Sequence, residues 1–130
     1  MMACKSGSYE EVFPNMKLYE EIIFLQHFCK CKWVVENVIS YYNPLVRPTV
    51  ILDRHYFWSN FPITEKQFEY GGDIRKGHCK ELQEVKGVNI DGYKLDGRRK
   101  DSALRSYVNP RLGLYVFNSA FKEKQEVLIT

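Results

Sequence analysis

Glu36 and Asn37 directly follow Trp33, Val34 and Val35, a short apolar, β-rich run that itself follows a helix-like stretch. A carboxylate delivered at the end of a buried strand is placed to hold a ligand, because ligands of open parallel sheets gather at the carboxyl ends of the strands. The same carboxylate can cap a turn or pair with a lysine, and the residues alone leave both roles open. Thiols and imidazoles form a second set. Cys29 and Cys31 lie beside His27, and His78 lies beside Cys79, which are residue types that bind zinc. Cys-x-Cys departs from the Cys-x-x-Cys knuckle, so no metal site is expected. Cys4, Cys29, Cys31 and Cys79 show no regular spacing and are expected as free thiols. Arg98, Arg99 and Lys100 form a third set, a basic run that can meet phosphates or line a solvated face.

The elements that must position these residues follow from periodicity. Leu18, Ile22, Leu25 and Cys29 recur at helical spacing after a possible N-cap, Asn15, with Tyr19, Ile23 and Phe24 widening the apolar face. This predicts a helix over 16–30, feeding a strand that carries Glu36 and Asn37 at its end. Pro44 and Pro48 break the chain, after which Thr49 to Leu52 and Tyr56 to Phe61 read as extended segments around Asp53, Arg54 and His55. Residues 62–100 hold six of the eight glycines, with nine Lys or Arg against seven Asp or Glu, and predict a loop-rich excursion with short strands at most. Asp101 is expected to cap a short turn through Tyr107. Asn109 and Pro110 form an N-cap and first-turn pair for a closing helix, with Leu112, Val116 and Ala120 on one face and Leu114, Phe117 and Phe121 broadening it. Residues 1–14 read as an irregular lead-in to something upstream, and the chain from Lys122 onward as a fraying end or short strand.

The chain of 130 residues is 45% hydrophobic, with nine Tyr, eight Phe and two Trp, which suits one modest core and disfavours disorder. A formal charge of +3 is compatible with a polyanionic partner without requiring one. The first twenty residues lack a long apolar run, so neither a signal peptide nor a membrane span is expected, and the setting is expected to be cytoplasmic.

KWVVENV at 32–38 resembles the Glu-Asn-Val motif of DNA (cytosine-5) methyltransferases, which follows a helix and ends a sheet strand. Residues 17–60, through YYNPL to DRHYFWSNF, resemble the compact branch of that family found in bacteria and their phages. SYVNPRLG at 106–113 resembles the family's closing Asn-x-Val-x-Pro motif, with Val108 and Pro110 kept and Ser106 in place of Asn. DRHYFWS at 53–59 stands where the family has Gln-x-Arg-x-Arg, with Arg54 as one counterpart and Tyr56 in place of the second arginine.

The resemblance implies an α/β fold: a partial Rossmann-like methyltransferase sheet (15–61), a small loop-rich insertion in the place of the target-recognition region (62–100) and a closing helix (101–130). It implies that Glu36 holds N3 and the exocyclic amine of a flipped cytosine while a cysteine thiolate adds to C6. Asn37 would shape the turn beneath it and Arg54 would contact the base carbonyl or the adjoining phosphate. None of the four cysteines follows a proline, so the family's Pro-Cys nucleophile is missing, as is the glycine-rich turn that cradles the methyl donor. The expected partners are therefore DNA and an amino-terminal methyltransferase half. S-adenosylmethionine belongs to the complete enzyme and no cofactor to this chain alone. The alternatives are a non-catalytic nucleic-acid-binding module or remnant, using the basic run and Tyr70 and Tyr93, and a protein-interaction module.

Overall fold

The computed structural model describes residues 13–69 and 79–122. The lead-in to residue 12 with Cys4, the glycines at 71, 72 and 77, Tyr70, His78 and the tail from residue 123 lie outside the described residues. The chain divides into two units, Met1–Lys66 with Ser119–Thr130, and Gln67–Asn118.

The first unit opens with α1 (Met16–Phe28). The Asn15 side chain caps it by accepting from the Lys17 amide (3.2 Å), and Cys29 closes it in an extended conformation, its amide donating to the Leu25 carbonyl (3.1 Å). Of the apolar face expected for this helix, Tyr19 and Ile22 are buried and Leu18, Leu25 and Cys29 half-buried, whereas Ile23 and Phe24 are exposed. Three strands follow: β1 (Val34–Val38), β2 (Val50–Leu52) and β3 (His55–Ser59). They form a mixed α/β unit with α1, and the sheet order is β1-β3-β2 with both pairings antiparallel.

The expected parallel arrangement is therefore not what the described strands adopt. Parallel neighbours need a long crossover, whereas β2 and β3 are joined by the two-residue turn Asp53–Arg54, which permits only a hairpin. Asp53 takes φ 55°, in the left-handed region that Asp tolerates better than most residues. β1 also runs past its expected end, because β3 offers a matching partner for all five of its residues, from Val34 opposite Ser59 to Val38 opposite His55.

One face of the sheet carries Val35, Tyr56 and Trp58 and packs with Tyr19 and Ile22 of α1 and with Trp33. Tyr19 meets Trp58 edge-on at 6.4 Å between ring centres, and the Trp58 indole donates to the Val46 carbonyl (2.8 Å). Burying side chains of this size contributes about 1.5–3 kcal/mol each. The opposite face carries Leu52, His55 and Phe57, also buried.

Within 62–100, where a loop-rich excursion is expected, the described residues are irregular except for two helical stretches, the whole of one short helix and the start of another, in the second unit. That unit holds α2 (Cys79–Lys86), α3 (Gly97–Ser106) and most of α4 (Pro110–Ala120). α2 is too short for its spacing to be decisive, and α3, GRRKDSALRS, buries Leu104 within an otherwise polar sequence. Asp96, not Asp101, caps α3, accepting from the Arg99 amide (2.9 Å), and Asp101 lies inside the helix. Gln83 of α2 pins the following loop by accepting from the Ile90 amide and donating to the Asp91 carboxylate (3.0 Å). α4 begins as expected, with the Asn109 side chain accepting from the Arg111 amide (2.9 Å). Leu112, Val116 and Ala120 are buried, while Leu114, Phe117 and Phe121 stay exposed and do not broaden the face. No described helix is long and apolar enough to cross a membrane.

Candidate functional site

Strand register decides which residues can meet. Glu36 pairs with Phe57 and Val38 with His55, so Glu36 and His55 are diagonal neighbours on one face of the antiparallel pair. The His55 ring reaches Glu36, with Nδ1 against Oε1. His55 is 1% exposed and the Glu36 side chain 32%. An ionised carboxylate only accepts, so the imidazole nitrogen facing it carries the proton and donates. Among the described residues Oε2 of Glu36 has no hydrogen-bond partner. The arrangement is a carboxylate held through one oxygen by a buried ring, with its other oxygen available.

Asn37 does not join this pair. It stands opposite Tyr56 on the other face of the sheet, and its amide donates to the carbonyl of the next residue, Val38 (3.1 Å). Because β1 continues through Val38, Glu36 and Asn37 sit within the strand rather than at its carboxyl end, and there is no turn beneath Glu36 for Asn37 to shape. Alternation in a strand sends neighbours to opposite faces, so the two could not act as one unit here. Arg54 is exposed in the β2–β3 turn, where its carbonyl accepts from the Ile39 amide (3.0 Å). That bond ties the turn to the end of β1, one residue from His55.

His55 is the residue that the sequence reading placed without a role. The signal for it was the two-residue turn: pairing Leu52 with His55 across Asp53–Arg54 directs every second residue of β3 to one face, and His55 and Phe57 share it. Finding Glu36 on the same face also required the β1–β3 register, which no local pattern supplies.

The basic run lies in the first turn of α3, in the second unit. Arg99 pairs with Asp96 at 3.4 Å, Lys100 donates to the Asp91 carbonyl at 3.4 Å and Arg98 is exposed. Cations at a helix amino terminus oppose the helix dipole, which Asp96 partly offsets. Arg98 is the member of the run most open to an external anion.

Cys29, Cys31 and Cys79 are free thiols, and among the described residues no three His, Cys, Asp or Glu side chains gather to hold a metal ion. No protein-family model, curated protein or solved structure matches this chain.

Proposed function

We propose that this chain is the carboxyl-terminal portion of a DNA (cytosine-5) methyltransferase and contributes the carboxylate that holds the target cytosine. The observation that carries this reading is the state of Glu36, half-buried, fixed through one oxygen by His55 and, among the described residues, without a hydrogen-bond partner at the other. A flipped cytosine presents a ring nitrogen, N3, and an exocyclic amine on one edge, and a carboxylate in fixed geometry can accept from both once N3 is protonated. Protonation at N3 draws electron density from C6 and favours addition of a thiolate there. Arg54, at the turn beside His55, would meet the base carbonyl or a neighbouring phosphate, and Arg98, Arg99 and Lys100 would meet the DNA backbone. Asn37 has a structural place in β1 in this reading.

The donor site and the Pro-Cys nucleophile would come from an amino-terminal methyltransferase half. β1 is an edge strand of the described sheet, and its unpaired edge is where the strands of a fuller Rossmann-like sheet could add. The test is a complex reconstituted with such a half. Glu36→Gln should lower the single-turnover methylation rate by about two orders of magnitude, the loss typical of a positioned acid or base, with little change in DNA affinity. A variant that melts at the same temperature and methylates at the unaltered rate would remove the proposal's main support.

A further inference from the structure

α1 hands over to β1 through Cys29, Lys30, Cys31 and Lys32, and this junction holds two sulfurs side by side. Cys29 Sγ and Cys31 Sγ are 2.8 Å apart, with Cys29 half-buried against the core and Cys31 exposed. The Asn60 side chain clamps the same segment, donating to the Cys31 carbonyl (2.8 Å) and accepting from the Trp33 amide (2.9 Å). The backbone that places Cys31 against Cys29 is thus tied to the end of β3. The hydrogen bond with Cys29, then partial desolvation and the charge of a second ionisable sulfur, hold the Cys31 thiol above its ordinary range. Two sulfurs that share a proton behave this way.

We infer that Cys29 and Cys31 form a vicinal dithiol that closes reversibly into a disulfide by exchange with a low-molecular-weight disulfide such as oxidised glutathione. The inference does not rest on the methyltransferase reading. From 2.8 Å, the sulfurs must approach by about 0.8 Å to reach the ~2.05 Å of the bond. One protein sulfur, as thiolate, attacks the small disulfide, forms a mixed disulfide and releases one small thiolate. The second protein sulfur attacks the first, forms the Cys29–Cys31 bond and expels the remaining small thiolate. The protein gives up two protons and two electrons, and one small disulfide becomes two thiols. A ring spanning only Lys30 gains little from loop closure, and Cys31 is exposed, so the bond is a labile one that reducing buffers reopen.

The test is equilibration of the full chain across a series from fully reduced to fully oxidised glutathione, acid quenching, alkylation of remaining thiols and mass spectrometry after cleavage at glutamate. Cleavage after Glu21 and Glu36 leaves both cysteines, and no other, on the peptide 22–36. Toward the oxidised end most of that peptide should resist alkylation and be lighter by two hydrogens than the unmodified dithiol, and reductant should reverse the change. Cys29→Ser and Cys31→Ser should each carry a single glutathione instead, and a Cys4→Ser, Cys79→Ser double variant should behave like the parent. A parent peptide that stays dithiol or takes up only glutathione throughout the series overturns the inference, as does loss of the internal bond in the double variant.

Discussion

His55 and Glu36 are coupled through one hydrogen bond, so a change at either is felt at the other. His55 is a positioning residue in the proposed chemistry, since it would act on the base through Glu36. Replacing it by leucine removes the donor and leaves a half-buried carboxylate without its anchor, and a bond to a charged group is worth about 1.5–3 kcal/mol. His55→Leu should accordingly slow methylation in the reconstituted enzyme by about tenfold to a hundredfold, with the KM for DNA little affected. His55→Asn, whose amide can occupy the place of Nδ1, should recover most of the rate. Equal losses in both variants that follow their melting temperatures would mean that the ring serves packing and does not aim Glu36.

At the scale of elements, the caps are the points where single residues carry helices. Asn109 is 4% exposed and performs two tasks, accepting from the Arg111 amide at the start of α4 and donating to the Val85 carbonyl at the end of α2 (3.2 Å). Losing an N-cap costs about 1 kcal/mol, and leaving a carbonyl unsatisfied adds about 1–3 kcal/mol. Asn109→Ala should therefore destabilise by about 2–4 kcal/mol, read as an earlier loss of helical circular dichroism in denaturant. Asn109→Asp keeps the acceptor and loses the donor, and should fall between the two. An alanine variant that unfolds with the parent would show that neither bond matters to α4.

At the scale of the whole molecule, the tryptophans belong to the first unit and the basic run to the second. With Arg99 paired to Asp96 and a formal charge of only +3, affinity for DNA should be weak and should fall steeply with salt. Each phosphate contact contributes about 0.9 to the slope of log K against log salt, so Arg98→Gln should flatten that slope by about one. Filter binding of a short duplex across a salt series measures this. A Kd indifferent to ionic strength, or a slope unchanged in the variant, would place the nucleic-acid contacts elsewhere.

The sequence by itself determined what local chemistry controls. Asn15 and Asn109 caps, the helices behind them, the two extended segments around Asp53 and Arg54 and the buried stripe of Leu112, Val116 and Ala120 were all legible, because spacing and capping act within a few residues. α2 and α3 were not, since a short helix and a polar one bury too few apolar side chains to leave a period. Glu36 stood out from its neighbours in the chain, but its partner did not. Whether a carboxylate in β1 faces a histidine nineteen residues later depends on strand register, and a slip of one residue would turn it to the opposite face. That choice was made by tertiary structure, through the tight turn that aligns β3 and the aromatic core of Tyr19, Tyr56 and Trp58 that holds the other face of the sheet against α1.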